Sequence, residues 1–119
     1  MLKLDPARES ERICKTIRDF ATRHHRPGVV VALSGGVDSS VTACLCARAL
    51  GPERVLGLSM PEKDSSIESS RLSAMLAERL GMENLCEDIT EILEALGCYR
   101  QQDIAVRSVV PAYGPGCKF

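Results

Sequence analysis

The sequence has almost no net charge, no long apolar run and no recognisable metal-ligand spacing. Its 119 residues carry 15 Lys and Arg against 16 Asp and Glu, a formal charge of −1. Because proteins that bind nucleic acid or anionic membranes present an excess of basic residues, we expect no nucleic-acid partner and no membrane partner. No apolar run is long enough to span a bilayer, and the charged amino terminus has no signal-peptide core. These absences favour a cytoplasmic protein that acts on small molecules.

The cysteines show no pattern typical of zinc binding. They form no CxxC pair and no His-linked spacing. Cys44 and Cys46 lie two positions apart on a predicted helix, so their side chains point to different faces and cannot bind one ion together. We therefore expect most of the cysteines to be reduced thiols that pack as small apolar residues. The six are Cys14, Cys44, Cys46, Cys86, Cys98 and Cys117.

Apolar segments of strand type alternate with segments of helix type along the chain. Strands are predicted at residues 29–33, 55–58 and 84–89, each followed by a helical pattern. Three predicted helices begin where a cap residue stands near a supporting residue: Asp5 with Pro6, Ser65 with Glu68 and Asp88 with Glu91.

The fold class that this alternation predicts is α/β. We expect a single domain over residues 1–119, with a Rossmann-like parallel sheet, right-handed crossovers and helices on both faces. Residues 97–119 are predicted to form an irregular tail, because PAYGPGCKF is rich in Pro and Gly, although QQDIAVRSVV also carries a helical pattern.

The segment SGGVDSS, residues 34–40, interrupts the apolar pattern between the first strand and its helix. Gly35 and Gly36 have no Cβ, so the backbone can curl around an anion and direct its N–H groups at it. Asp38 is unexpected beside a phosphate, and its presence implies a cation such as Mg²⁺. The alternative is an ordinary glycine turn in which Asp38 caps the helix. Hydroxyl donors come from Ser34, Ser39 and Ser40.

Two motifs carry a resemblance to a known family. SGGVDSS lacks the lysine of a P-loop, but it is similar to the SGGxDS signature of the ATP pyrophosphatases. Residues 57–82 resemble the region after the second strand of NAD synthetases, where a Met-Pro pair, a basic residue and two serines precede a helix ending in Leu-Gly. The residues at those places are Met60, Pro61, Lys63, Ser65 and Ser66. The resemblance covers residues 8–96, the amino-terminal part and less than half of the family's synthetase domain.

The resemblance implies an adenine nucleotide α-hydrolase-like fold and a ligase activity. In that family ATP adenylates the nicotinate carboxylate of deamido-NAD, pyrophosphate leaves, and ammonia displaces AMP to give NAD. The resemblance implies ATP and Mg²⁺ as cofactors, Asp38 as a metal ligand and no residue of covalent catalysis. The implied ATP-binding residues are Ser34, Gly35, Gly36, Val37, Asp38, Ser39, Ser40, Met60, Lys63 and Ser65.

Several alternatives stay open at this point. SGGVDSS also occurs in GMP synthetases, which the MPEKDSS loop disfavours, and in sulfur-transfer enzymes, which need a reactive cysteine near Asp38. The chain could also be a truncated ATP-binding module without catalysis, and the nitrogen donor could be ammonia or, through another polypeptide, glutamine. Because a sheet without its later strands exposes an apolar edge or face, we expect a homodimer or association with a missing half.

Overall fold

A computed structural model of the protein describes residues 4–114, and these contain five α-helices and three β-strands. In chain order the elements are α1 (Pro6–Arg23), β1 (Val29–Ala32), α2 (Val37–Leu50), a 3₁₀ turn (Pro52–Arg54), β2 (Val55–Ser59), α3 (Ile67–Leu80), β3 (Glu83–Cys86), α4 (Thr90–Ala95) and α5 (Cys98–Val109). The chain divides into two compact units, one up to Glu87 and one from Asp88 onward. Within residues 4–114, no helix combines the length and the apolar character needed to cross a membrane.

The three strands form one parallel sheet in the order β1-β2-β3. Val31 lies beside Gly57, which in turn lies beside Asn84. The predicted α/β class and the parallel pairing are confirmed. The third strand begins and ends earlier than predicted, at Glu83–Cys86 instead of residues 84–89.

The core of the first unit lies between the sheet and two helices. Residues of α2 and α3 pack against the face of the sheet that carries Val31 and Val55. Right-handed crossovers that advance through a sheet in one direction place their helices on the same face, which explains this arrangement. The main cluster consists of Val31, Leu33, Ala43, Cys46, Val55, Ala77 and Met82, and a second cluster between α1 and α2 consists of Cys14, Ala21, Ala49 and Leu50.

The opposite face of the sheet stays open in this unit. Val30 is 63% exposed and Leu85 is 43% exposed, and Ala32 beside them is also exposed. Leu56 and Leu58 complete this face and are half-buried. We call these five residues the exposed sheet face. The expectation of helices on both faces is not met within this unit, whereas the expected exposure of an apolar face is confirmed.

The helix starts confirm one predicted cap and correct another. Asp5 caps α1, with its carboxylate accepting from the N–H groups of Ala7 at 3.1 Å and Arg8 at 3.2 Å. The predicted capping box that begins with Ser65 is wrong. Ser66 is the cap of α3 instead, and its hydroxyl accepts from the N–H of Ser69 at 3.0 Å.

The second unit contains the other two helices. Hydrogen bonds from the side chain of Thr90 and from its N–H, the latter at 2.8 Å, lower the pKa of the Asp88 carboxyl. The residue at the cap position of α4 is Ile89 and not the predicted Asp88. The expectation of an irregular tail is wrong for Cys98–Val109, which form α5, and the helical alternative for this segment is confirmed. The predicted extended segment lies partly outside the described residues.

We expect the Asp5→Ala substitution to lower the free energy of unfolding by about 1 kcal/mol, because it removes the acceptor for two backbone N–H groups at the start of α1. Urea denaturation followed by circular dichroism measures this change. Asp19→Ala, on an exposed position of the same helix, is the control. Equal losses in the two variants would show that net charge and not capping is responsible.

Candidate functional site

A cavity of about 230 Å³ opens at the carboxyl ends of β1 and β2. It is lined by the ends of both strands, by the loop after β2 and by the first two turns of α3. Among the described residues that line it, seven are serines and none carries a formal charge. Such a lining suits a neutral polar group with several hydrogen-bonding atoms. The lining residues are Ala32, Leu33, Ser34, Leu58, Ser59, Met60, Pro61, Ser65, Ser66, Ser69, Ser70 and Ser73.

Residues 34–40, which we call the glycine loop, connect β1 to α2 through a network of serine hydroxyls. The Oγ atoms of Ser34 and Ser39 lie 3.1 Å apart, and the N–H of Gly36 donates to Ser34 Oγ at 3.3 Å. The hydroxyls of Ser39 and Ser40 both donate to the Gly36 carbonyl, at 3.1 and 2.7 Å. The loop therefore holds its own shape before any ligand binds.

The start of α2 offers backbone donors to an anion. Gly36 is the cap residue, and the first N–H that bonds within the helix is that of Ser40, to the Gly36 carbonyl at 3.1 Å. Helix geometry therefore leaves the N–H groups of Val37, Asp38 and Ser39 without intrahelical acceptors. These donors and the positive end of the helix dipole favour a phosphate group at this place.

The carboxylate of Asp38 is exposed on the first turn of α2. The alternative in which Asp38 is the helix cap is wrong, because Gly36 occupies that position. Within residues 4–114, no group of three His, Cys, Asp or Glu side chains is arranged to hold a metal ion. One carboxylate nevertheless fits Mg²⁺, since this ion usually keeps its waters and is shared between one or two carboxylates and the phosphates of a substrate.

Gly35 lies directly against the backbone of α3. Its φ of +75° is in the left-handed region, and a Cβ at this residue would lie 2.6 Å from the carbonyl oxygen of Ser69 and 2.9 Å from its Cα. Neither atom belongs to a flexible side chain that can move aside. Both the conformation and the packing therefore require glycine at this position.

Of the three predicted site residues on the loop after β2, two line the cavity and one does not. Met60 and Ser65 line the cavity together with Ser34. The hydroxyl of Ser65 accepts from the N–H of Glu62 at 3.0 Å, so this serine orders the loop. Lys63 is exposed and is not among the residues that line the cavity.

The predicted site residues therefore fall into three groups. Ser34, Met60 and Ser65 line the serine-rich cavity, whereas Asp38, Ser39 and Lys63 line neither depression near the glycine loop. A separate depression is lined by the remaining four, Gly35, Gly36, Val37 and Ser40, together with Ser10, Val41, Cys44, Leu45 and Arg48.

The sequence prediction missed several lining residues on β2 and α3. Ser59 is the last residue of β2, and parallel strands bring their carboxyl ends to one edge of a sheet. The serines of α3 occur in pairs four residues apart, the spacing of one helix face. Those two signals together could have identified Ser59, Ser66, Ser69, Ser70 and Ser73.

The fold and the site define an α/β protein with a glycine-rich loop, whose backbone donors suit an anion, between its first strand and the following helix. Comparison with known proteins is more specific: the model of the NAD synthase family matches residues 9–109. A curated relative from Mesorhizobium japonicum, an NH(3)-dependent NAD(+) synthetase, is 54% identical over 119 residues, covering 99% of this chain and 37% of the relative. The enzyme of the same name from Rhizobium meliloti is 46% identical over 115 residues, covering 97% of this chain and 34% of the relative. The chain belongs to the NAD synthase family.

Solved structures of three synthetases resemble this fold. An NH3-dependent NAD synthetase from Campylobacter jejuni, in complex with the nitrate ion, has a TM-score of 0.73 and 33% identity over 83% of this chain and 42% of its own. A glutamine-dependent NAD+ synthetase from Acinetobacter baumannii, in complex with ADP, has a TM-score of 0.76 and 28% identity over 85% and 20%. An NMN synthetase from Francisella tularensis has a TM-score of 0.75 and 25% identity over 84% and 41%.

The chain spans about a third of the length of the curated relatives that it matches most extensively. The expected family and the partial coverage of its synthetase domain are thereby confirmed. These relatives are named as synthetases, which are ligases.

We expect Gly35→Ala to lower the free energy of unfolding by about 3 kcal/mol, because the new methyl group meets the Ser69 backbone in addition to the cost of a positive φ. Gly81→Ala is the matched control. Gly81 has a φ of +70° and nothing within 4 Å of its Cβ position, so this substitution should cost about 1 kcal/mol. Urea denaturation compares the two variants, and equal costs would contradict the close contact with α3.

Proposed function

We propose that this chain forms the ATP-binding part of an NAD synthetase that acts on deamido-NAD and ammonia. The observation that carries the proposal is the position of the glycine loop at the carboxyl end of β1, beside a serine-lined cavity. Membership of the NAD synthase family supports it. ATP and Mg²⁺ are the cofactors that we propose.

The two parts of the site suit the two parts of ATP. The N–H groups of Val37, Asp38 and Ser39 suit the β- and γ-phosphates, because they combine donors with the positive end of the α2 dipole. The uncharged, hydroxyl-rich cavity suits the nucleoside. Met60 and Ser65 are then adenosine-binding residues, and Lys63 provides a positive charge on the adjoining loop.

The proposed reaction places few chemical demands on the side chains. A carboxylate oxygen of deamido-NAD attacks the α-phosphorus, and the bond from this phosphorus to the bridging oxygen breaks, so that pyrophosphate leaves with the electron pair. Ammonia then attacks the acyl carbon of the adenylate, loses a proton and displaces AMP. Mg²⁺ at Asp38 would neutralise charge on the departing pyrophosphate. The backbone donors of the glycine loop hold the same group in place, so catalysis depends on positioning and electrostatics.

The acceptor and the nitrogen donor are determined outside this part of the protein. The three structural neighbours are named for ammonia-dependent NAD synthesis, glutamine-dependent NAD+ synthesis and NMN synthesis, yet each matches a similar share of this chain with a similar TM-score. Proteins with different products thus share this fold. The sharing of one fold by synthetases with different names also supports the alternative of a truncated ATP-binding module without catalysis.

A sulfur-transfer function receives less support. Burial raises the pKa of the Cys46 thiol, and the neighbouring Cys14 raises it further, so Cys46 stays protonated at neutral pH and is a weak nucleophile. Cys44 is exposed, but it lies six residues after Asp38 on the same helix. The MPEKDSS loop favours the NAD synthetases over the GMP synthetases.

We expect Asp38→Asn to weaken the binding of Mg·ATP by at least about tenfold without changing the free energy of unfolding, because it removes an exposed charge that the metal needs. Isothermal titration calorimetry measures the affinity, and Asp19→Asn is the control. Unchanged affinity would remove Asp38 from the metal site. Release of pyrophosphate that depends on deamido-NAD and ammonium would show synthesis by this chain, whereas binding without release would favour the truncated module.

We further propose that the exposed sheet face associates with polypeptide, either the remaining part of a synthetase domain or, in its absence, a second copy of this chain. Five apolar residues on neighbouring strands form one continuous patch, and β1 has a free edge beside it. An apolar patch of this kind is uncommon on proteins that stay monomeric.

We expect the purified chain to self-associate and the Val30→Glu variant to do so several-fold more weakly, since a buried, unpaired charge opposes the contact. Sedimentation velocity over a concentration series measures the effect. Ile67→Glu introduces the same charge at an apolar position that is 89% exposed on α3, away from the sheet face. If both variants weaken association equally, the exposed sheet face is not the interface.

A further inference from the structure

One face of α3 contacts the end of β1 and the glycine loop at two points, four residues apart on the helix. The first is the close approach of Gly35 to the backbone of Ser69. The second is Ser73, which is 1% exposed and whose Oγ lies 3.3 Å from the carbonyl oxygen of Leu33 and 2.9 Å from that of Ser69. Residues four apart lie on the same side of a helix, so one face of α3 contacts both Leu33 and Gly35, the two residues that flank Ser34.

The carbonyl of Leu33 depends on Ser73 for a donor. The N–H of Leu33 donates to the Leu58 carbonyl at 2.9 Å, but within residues 4–114 no backbone N–H donates to the Leu33 carbonyl. Leu33 is buried, and a buried carbonyl without a donor is costly. The hydroxyl of Ser73 is therefore the group that satisfies this carbonyl where the chain leaves the sheet.

Of the two carbonyls near the Ser73 hydroxyl, only that of Leu33 depends on it for a hydrogen bond. A hydroxyl has one proton, whereas both the Leu33 and the Ser69 carbonyls lie within reach. In the regular hydrogen-bonding pattern of α3, the Ser69 carbonyl already accepts from the N–H of Ser73. Donation to Leu33 thus satisfies the carbonyl that has no other backbone donor.

We propose that Ser73 is a positioning residue for the phosphate-binding conformation of the glycine loop. Leu33 directly precedes Ser34, whose hydroxyl accepts from Gly36 and contacts the Ser39 hydroxyl. Ser73 fixes the peptide group of Leu33, and so it fixes the residue from which this network starts. Its effect on ligand binding rests on the proposed function, whereas its effect on the loop does not.

Amide hydrogen exchange of the full chain without ligand tests the effect on the loop directly. Leu33, Gly36 and Ser40 carry hydrogen-bonded N–H groups in this region and serve as reporters in NMR measurements. In Ser73→Ala we expect these amides to exchange roughly fivefold faster, the factor that corresponds to the loss of one ordinary hydrogen bond. The amides of α1 should be unaffected after correction for global stability.

Thr16→Val, which keeps the size of the side chain, is the matched control. The Thr16 hydroxyl also donates to the carbonyl four residues earlier, that of Arg12, at 3.0 Å, but this residue lies on α1 away from the glycine loop. We expect unchanged exchange in the glycine loop of this variant. Ser73→Cys keeps the size of the side chain and a weak donor, so it should fold even if Ser73→Ala does not, and it should give a smaller increase.

The outcomes separate positioning from a purely structural role. If the loop amides of Ser73→Ala, or of Ser73→Cys where alanine prevents folding, exchange as in the unsubstituted protein once global stability is accounted for, the proposal is overturned. Faster exchange with an approximately fivefold weaker affinity for Mg·ATP supports it. A third outcome is faster exchange in Ser73→Ala together with no binding of Mg·ATP by the unsubstituted chain. It supports the role of Ser73 in positioning the loop and contradicts the proposed function.

Discussion

The parallel pairing of β1 with β2 is the constraint on which the site depends. It brings the ends of both strands to one edge of the sheet, where the glycine loop follows β1 and the Met60 loop follows β2. The helix after the second loop then returns along the same face and meets the first loop at Ser69 and Ser73. An antiparallel pairing would send the two loops to opposite edges and leave neither a cavity nor a contact between them.

The same geometry explains why the unit leaves one face of its sheet open. Two right-handed crossovers that advance through the sheet in one direction place both of their helices on one face, and the described residues of this unit leave the other face without a helix. Val30, Leu56 and Leu58 lie on that second face; they are apolar, yet Val30 is exposed and the two leucines are only half-buried. These residues suit a sheet that is covered on both sides, which supports the proposed association of the exposed sheet face with polypeptide.

Local signals in the sequence were sufficient for the first two strands, the start of α1 and the turn between β1 and α2. Asp5 before Pro6 is a strong cap signal, and a valine run before two glycines leaves few alternatives to a buried strand and a turn. The cap of α3 was misplaced by one residue because Ser65 and Ser66 are chemically identical, and only the three-dimensional loop decides that Ser65 bonds to Glu62. The role of Ser73 was not predictable either, because its partner Leu33 is 40 residues away in sequence.

Under the proposed function, the position of the site limits what this part of the chain contributes to catalysis. Donors that hold the phosphates equally well before and during the reaction improve binding without lowering the barrier. Acceleration requires that the carboxylate be held in line with the α-phosphorus, and that contact must come from residues on the acceptor side. In that proposal the glycine loop and α3 supply a preformed phosphate site, whose shape depends on Gly35 and Ser73, and the remaining contacts come from the acceptor side. The sharing of this fold among synthetases that are named for different products supports the proposal of a separate ATP-binding part.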